Sequence, residues 1–367
     1  MRLNHLVSFA GLGAMLAMTS PFLAAQKSQL NAKPEAASEA ASEAATTGAA
    51  KNWKVPRTID GQPDFQGVWS NNNATPLQRP KELAGRTTLT DEEVKALKAK
   101  AKEFFDTGGD AEFGDSVFEA VYAAVKAGTS GPHKRPEKGF DGATGDYNTA
   151  WIAERDWDNR TSLITDPADG HIPPSTPEAQ KRMMASMRMN PVPAGPEDRP
   201  LSERCITFGS PRTLAGYDSY YQIVQSRNYV AIEMEQMHDA RIVPLDGSPH
   251  PPANVQNWMG DSRGHWEGDT LVVDTTNYKP NAFMNATSNL HTIERFTRTA
   301  EGVLQYQITI DDPMTWTKPW SMMIPLRHTN ELMYEYACHE GNIAMMSMLK
   351  GARLQEAEAA KSGGAKK

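Results

Sequence analysis

The chain has 367 residues, 39% of them hydrophobic, and a formal net charge of -7 without a basic stripe. This charge pattern argues against binding to nucleic acid or to an anionic lipid surface. The length predicts about two domains, or one large β domain with extensions at its ends.

Residues 1–25 have the layout of a secretory signal peptide. The basic residue Arg2 precedes an apolar run over residues 6–18, and small residues follow up to Ala25. The run is too short to cross a membrane and contains two glycines. We therefore expect cleavage near Ala25, a periplasmic or secreted protein and no stable membrane span; an uncleaved anchor is the alternative.

The two ends of the remaining chain have a composition typical of disorder. Residues 26–52 carry an EAAS-type repeat with almost no large apolar side chains, and residues 354–367 are similar, so neither segment buries enough surface to offset the entropy of ordering. We expect a disordered tether, a disordered tail and, between them, a single β-rich domain over residues 53–353. A homo-oligomer stays open, because the amphipathic first half of this domain could cover a barrel or a second subunit.

The sequence has two cysteines, Cys205 and Cys338. An isolated pair in an exported protein is more often bridged than free, which predicts a disulfide bond between them. Two buried, unpaired thiols are the alternative, because the sequence does not give their separation.

The first half of the domain mixes a short strand with helices. Gly67-x-Trp69 at the start of a strand resembles the signature of lipocalin-like barrels, in which the tryptophan closes one end; a tryptophan packed in an ordinary core is the alternative. Thr90 begins a capping box before an amphipathic helix, and residues 117–125 continue the helical pattern. Residues 128–148 are rich in Gly and Pro and predict a long loop, the usual place for a lid.

A short strand and a third helix complete the first half. Residues 159–167 read as a strand that ends in a turn, and Thr176 with Pro177 predicts the N-terminus of a helix. The helices that begin after Thr90 and at residue 117 precede most of the strands, so we expect the helices to lie on the periphery of the sheet.

The second half predicts a meander of strands joined by short turns. The strand-like segments are residues 220–225, 229–235, 240–245, 270–275, 292–299, 303–311, 321–328 and 332–337. Short connections make successive strands antiparallel neighbours, and a meander of this size usually closes to remove its edges. The predicted fold is mainly β, an antiparallel meander that forms a lipocalin-like barrel or a strongly curved sheet.

Residues 258–277 are the stretch around which the rest of the chain is organised. Their first part places charged and aromatic side chains among three glycines, which predicts a tight turn that presents polar groups between strands. Their last part, from Thr270, alternates apolar and polar residues as a half-buried strand does.

Polar clusters fall at the predicted strand ends, where alternate turns of a meander share one end of the barrel. Histidine beside a carboxylate suits proton transfer near neutral pH, and arginine offers a planar fork that can hold an oxyanion. The alternative is that these residues only form surface ion pairs and hydrogen bonds within turns. The predicted catalytic residues are His238, Asp239, Arg241, His339 and Glu340. The predicted substrate-binding residues are Trp258, Asp261, Arg263, His265 and Tyr336.

Several known chemistries are set aside. The sequence has no HExxH motif, no P-loop and no dinucleotide fingerprint after a strand, and α/β-hydrolases are set aside with these classes. The histidines have no spacing diagnostic of a metal site, so we expect no cofactor and no metal.

Several segments spread over residues 63–353 are specific as a set: NRTSLITDP, IPPSTPEAQKR, DARIVPLDG, WMGDSRGHWEGDTLVVDTTN, ERFTR, DDPMTWTKPW and YEYACHEGN. Together they resemble a family of exported bacterial proteins of sphingomonads, acidobacteria and related groups. The resemblance implies export and a single domain. Its nearest functional association is with exported lyases that act on lignin-derived aromatic dimers, such as phenylcoumaran γ-formaldehyde lyases, and it assigns no catalytic residue.

Two classes of function fit these observations. The first is a cofactor-independent lyase that uses acid/base residues at a barrel mouth on a small aromatic substrate and releases formaldehyde. The second is a non-catalytic, lipocalin-like carrier of a small hydrophobic ligand, and a hydrolase that activates water with the same residues is a further alternative.

Overall fold

The computed structural model describes residues 53–105, 115–129, 155–188, 192–213 and 215–364. All of them belong to one compact unit, Thr47–Lys367. The predicted signal peptide, the tether and nearly all of the predicted loop at 128–148 lie outside the described residues.

The described residues form an antiparallel, ten-stranded sheet that nearly closes into a barrel, as the sequence predicts. The strands are β1 Gly67–Ser70, β2 Ile164–Asp166, β3 Tyr220–Gln225, β4 Tyr229–Met234, β5 Asp239–Pro244, β6 Asp261–Glu267, β7 Thr270–Thr276, β8 His291–Ala300, β9 Val303–Asp311 and β10 Trp320–Thr329. Their order is β5-β4-β3-β1-β10-β9-β8-β7-β6, and β2 pairs with β10.

The two edge strands, β5 and β6, approach each other at Gly264. A Cβ atom built on Gly264 would lie 2.7 Å from both Val243 Cγ1 and Leu245 Cδ2, so any other residue here would push the edges apart. Close approach of the edges leaves little of either strand open to pairing with another chain.

Side chains fill the interior of the barrel. Every second residue of β9 is buried, from Leu304 to Ile310, as expected for a strand with one face inside. Trp69 is fully buried, and its indole nitrogen donates to the carbonyl oxygen of Phe65 at 2.8 Å. The interior also holds a buried ion pair between Arg241 of β5 and Glu294 of β8.

Four helices lie in the described part of the chain: α1 Asp91–Phe105, α2 Asp115–Ala127, α3 Pro177–Arg188 and α4 Ile343–Gly364. The predicted capping box is present, because Thr90 N–H donates to Glu93 Oε2 and Glu93 N–H donates to Thr90 Oγ1. Thr176 caps α3 through the N–H of Ala179. None of these described helices has the length and apolar character needed to cross a membrane.

The polar stretch before Thr270 differs from its prediction. Residues 261–267 form strand β6, and the turn to β7 is confined to Gly268 and Asp269. Polar side chains occupy one face of β6, whereas Ser262, Gly264 and Trp266 occupy the other face. The abundance of glycine and charge suggests a turn, but the alternation of polar and small residues specifies a strand.

The C-terminal region also differs from expectation. Residues 332–337 form no strand, because the N–H groups of Tyr334 and Tyr336 donate to the side chains of Glu235 and His238 instead of to a neighbouring strand. Helix α4 continues to Gly364, within the segment predicted to be disordered. Its alanine and glutamate residues are strong helix formers, which accounts for the helix.

Candidate functional site

The turn between β4 and β5, residues 235–239, is the centre of the candidate site. Met237 and His238 have φ angles of 61° and 51°, in the left-handed region. Such a conformation costs about 1–3 kcal/mol for a residue other than glycine and tends to be kept where surrounding contacts enforce it. Glu235 of this turn lines one cleft, and Gln236, His238 and Asp239 hydrogen-bond to residues that line this cleft or a neighbouring one.

The first cleft, named the tyrosine cleft, has a volume of about 840 Å³. Tyr220, Tyr334 and Tyr336 line it together with the carboxyl groups of Asp218 and Glu235. Glu235 is only 3% exposed. Its Oε1 accepts the N–H of Tyr334 at 3.1 Å, and its buried Oε2 has no hydrogen-bond partner among the described residues. Burial of a carboxyl oxygen without a partner disfavours the charged form of the group.

Asp218 reaches the same cleft from the turn before β3. The N–H of Gly216 and the hydroxyl of Ser219 both donate to the carbonyl oxygen of Asn71, each at 3.0 Å, and these bonds hold the turn on the end of β1. Asp218 itself has a φ of 42°. Two separate strained turns therefore deliver the two carboxyl groups.

Burial raises the pKa of Glu235, and the negative charge of Asp218 raises it further. Burial also raises the pKa of Asp218, although a hydrogen bond from Tyr217 opposes the effect. Two neighbouring carboxyl groups with raised pKa values hold their protons to a higher pH than ordinary carboxyl groups do, which suits them to proton transfer.

His238 and Asp239 form hydrogen bonds to residues that line the two clefts. His238 Nε2 accepts the N–H of Tyr336 at 3.0 Å, which holds one wall of the tyrosine cleft. Asp239 Oδ2 accepts the hydroxyl of Thr207 at 2.7 Å, which holds a loop of the neighbouring cleft. Both residues are predicted to be catalytic, and in the structure each side chain hydrogen-bonds to a residue that lines a cleft.

The second cleft, named the arginine cleft, has a volume of about 810 Å³ and includes Arg212, Phe208 and Trp258 in its lining. Ser202 lines both clefts, and the rings of Phe208 and Tyr336 meet edge to face at 5.9 Å. The two clefts therefore share a thin aromatic wall.

The disulfide bond between Cys205 and Cys338, predicted from the sequence, joins the loops of the two clefts. Cys338 lines the tyrosine cleft, and Cys205 follows the segment at Ser202 that both clefts share. The Cα atoms are 5.7 Å apart, although the cysteines are separated by 133 residues. The bond ties two distant segments at the site.

A second group of charged side chains lies on the outer face of the barrel. His250 Nδ1 contacts Asp261 at 2.7 Å and His250 Nε2 contacts Asp274 at 3.1 Å, while His291 Nε2 contacts Asp274 at 3.0 Å. The carboxylate of Asp274 raises the pKa of His291. In the described residues no group of three or more histidine, cysteine or acidic side chains is arranged to hold a metal ion.

The predicted site residues divide between these regions. Trp258 lines the arginine cleft, and Tyr336 and Glu340 line the tyrosine cleft. His339 is exposed near the tyrosine cleft and is absent from its lining. The remaining predicted residues outside the clefts are Arg241, Asp261, Arg263 and His265.

These four residues are placed by their strands. Arg241 points into the barrel, where Glu294 engages its guanidinium, so it offers no fork to a ligand. Asp261 and Arg263 pair with each other on the outer face of β6. His265 lies further along the same face and contacts Glu267, toward the opposite end of the barrel.

The sequence contains a GxSxG pattern, GDSRG at residues 260–264. Setting α/β-hydrolases aside on sequence grounds alone is therefore wrong, because this pattern is their nucleophile motif. In that class the serine occupies a sharp turn between a strand and a helix. Here Ser262 lies in β6, is 5% exposed and shares a hydrogen bond with Thr275 at 2.9 Å. Its burial inside a β barrel is incompatible with a nucleophile elbow.

Sequence reasoning does not name Asp218, Arg212 or Glu235 among the predicted catalytic or substrate-binding residues. No local motif surrounds Asp218 or Arg212, which reach the site through turns that are distant in the chain. The one usable signal is the density of Gly, Tyr and Asp in residues 216–221, a composition typical of a turn at a strand end.

Comparisons with protein-family models, with curated proteins and with solved structures each find no match to this chain.

Proposed function

We propose that the protein is an exported, cofactor-independent lyase that cleaves a small aromatic substrate by acid/base catalysis in the tyrosine cleft. The observation that carries this proposal is the pair of carboxyl groups, Glu235 and Asp218, which line one cleft with raised pKa values. The unpaired Oε2 of Glu235 adds to it. The tyrosine side chains of the cleft supply flat surface for an aromatic ring.

The two carboxyl groups divide the proton transfers between them. In a lignin-type dimer, a hydroxymethyl group stands beside a carbon atom that bears an aryl ether. Asp218, as base, takes the hydroxyl proton while the C–C bond to the hydroxymethyl carbon breaks and formaldehyde leaves. The electron pair of that bond forms a C=C bond and expels the aryl oxygen. Glu235, as acid, protonates this oxygen, and its raised pKa favours the protonated form that the step requires.

A non-catalytic carrier of the lipocalin kind gains less support. Such a carrier holds its ligand inside the barrel, whereas here Trp69, Phe296, Tyr306 and the Arg241–Glu294 pair occupy the interior. The two clefts lie outside the interior, at the end of the barrel that carries the β4–β5 turn. A binding role would have to use these clefts.

The experiment incubates the purified protein with a panel of lignin-type dimers and follows substrate mass and released formaldehyde. We expect the parent to convert a hydroxymethyl-bearing dimer with loss of formaldehyde. The Glu235→Gln and Asp218→Asn variants should lose about 10²- to 10⁴-fold in turnover, the usual contribution of general acid/base groups.

Glu233→Gln is the matched control, because Glu233 lies in β4, two residues before Glu235, and lines neither cleft. Its turnover should equal that of the parent. Conversion at the parental rate by both cleft variants would overturn the assignment of the residues. Binding without conversion would favour the carrier, and conversion by addition of water would favour a hydrolase.

A further inference from the structure

The guanidinium group of Arg212 is a largely desolvated cation whose only hydrogen-bond partner among the described residues is neutral. Its Nη2 donates to the amide oxygen of Gln236, a residue that is 3% exposed, and its buried Nε has no partner in the described part of the chain. The backbone of Arg212 is fixed by the hydroxyl of Tyr221, which donates to its carbonyl oxygen at 2.7 Å. The charge is therefore held at the wall of the arginine cleft without a contacting carboxylate.

The other charged groups that line this cleft are mostly engaged elsewhere. Arg199 pairs with Glu203. Asp198 accepts the N–H groups of residues 194 and 195. Glu197 is exposed to solvent, and Arg204 adds a second positive charge to the lining. Asp218 and Asp239 act on Arg212 only through space. The lining around Arg212 therefore favours an anion.

Aromatic side chains surround this cation. The guanidinium of Arg212 lies over the ring of Phe208, at 4.9 Å from its centroid. Trp258 and Phe283 also line the cleft, and Phe283 is largely buried. Aromatic surface next to a fixed cation matches a ligand that has a flat ring and an acidic group.

We infer that the arginine cleft binds an aromatic carboxylate, with the carboxylate on the guanidinium of Arg212 and the ring against Phe208 and Trp258. A carboxylate at the cleft wall balances the charge of Arg212 and accepts a charge-assisted hydrogen bond from it. The inference rests on the proposed function in one respect: a two-ring substrate would cross the Phe208–Tyr336 wall and place its reactive part beside Glu235. The substrate class is then an aromatic dimer that carries a carboxylate.

Calorimetric titration with biphenyl-4-carboxylate and its neutral analogue, biphenyl-4-carboxamide, tests the inference without any need for turnover. We expect the parent to bind the carboxylate at least about tenfold more tightly than the carboxamide, because hydrogen bonds between charged groups are among the strongest in proteins. Arg212→Gln should remove this preference, and Arg212→Lys should reduce it, since lysine lacks the planar fork.

Two control variants separate the effect of the Arg212 charge from the loss of any exposed arginine and from the loss of ring surface. Arg227→Gln removes an exposed arginine at the opposite end of the barrel and should keep the parental preference. Phe208→Leu should weaken both ligands alike, because it removes ring surface and leaves the cation in place. Thermal unfolding identifies any variant that fails to fold, and Arg212→Lys remains informative if Arg212→Gln is unstable.

Equal affinity of the parent for both ligands, or an unchanged preference in both Arg212 variants, would overturn the inference. Its failure is distinguishable from failure of the proposed function. Glu235→Gln should bind the carboxylate with parental affinity whether or not the parent converts any substrate. Absence of turnover together with a carboxylate preference that depends on Arg212 would retain the binding site and reject the lyase.

Discussion

Buried charged groups have different partners in the barrel interior and at the cleft-bearing end of the barrel. In the interior, both guanidinium nitrogens Nη1 and Nη2 of Arg241 donate to Glu294, at 2.5 and 2.8 Å, and Tyr306 donates to the same carboxylate. At the cleft-bearing end, Arg212 and Glu235 each have only neutral hydrogen-bond partners among the described residues. Residues of the same types therefore serve different purposes.

The difference indicates where function lies. A buried pair whose two charges are matched within the protein leaves no unbalanced charge for a ligand and maintains one arrangement of the strands around it. Buried charges without counterions destabilise the fold, and a binding partner relieves them. The comparison therefore points to the cleft-bearing end as the site and to the barrel as its support.

The largest expected effect is in the barrel. Glu294→Gln leaves the Arg241 charge buried without a counterion, and we expect the free energy of unfolding to fall by about 3–5 kcal/mol. Urea denaturation measures this change. The double variant Arg241→Met with Glu294→Leu should be clearly more stable than Glu294→Gln, because it removes both charges. If Glu294→Gln were as stable as the parent, the Arg241–Glu294 pair would not matter for stability and the comparison would fail.

The disulfide bond is expected to have the next largest effect. Replacing Cys205 and Cys338 by serine frees a long loop and should lower the unfolding free energy by about 2–5 kcal/mol in the chain-entropy description. Hydrogen exchange locates the change. Faster exchange should appear in residues 200–213 and 334–342, with little change in β8 and β9. Uniform loosening of the barrel would show that the bond does not act on the clefts.

Glu235→Gln should affect stability in the opposite sense from Glu294→Gln. Because the pKa of Glu235 is raised in the folded protein, its contribution to stability is fully present below the ordinary glutamate pKa and is lost as pH rises through the folded pKa. The variant should therefore gain stability relative to the parent as pH increases from about 4.5, the region of the ordinary pKa. Urea titrations at several pH values measure the trend, and a gain at low pH only would contradict it.

The sequence predicts much of the fold because strands and caps are local. The alternation in residues 303–311 and the capping box at Thr90 depend on neighbours in the chain, and both appear in the structure. The disulfide follows from the isolation of two cysteines. The strand predicted at 332–337 is absent because side chains of a distant turn bind its backbone, a contact that no local pattern encodes.

The site is less predictable for the same reason. The polar residues of 258–269 are dense in the sequence, yet strand alternation places Asp261 and Arg263 on the outer face of the barrel. Asp218, Arg212 and Glu235 come together through the packing of separate turns. Arg241 and Arg212 have the same chemistry in the sequence, and only the position of Glu294 across the barrel separates them.

The outer face gives the smallest expected effect and completes the comparison. His291 pairs with Asp274 and also faces Asp311, and its side chain is 33% exposed. Its raised pKa means that its contribution is present below the ordinary histidine pKa and is lost as pH rises through the folded value. His291→Asn should lower the unfolding free energy by at most about 1 kcal/mol at pH near 5.5 and by less at pH near 8, since solvent screens exposed pairs. Urea denaturation at both pH values measures the loss.

A loss as large as that of Glu294→Gln would mean that burial does not decide what an ion pair contributes to stability in this protein. A small, pH-dependent loss would support the distinction between paired charge inside the barrel, paired charge on its outer face and unpaired charge in the clefts.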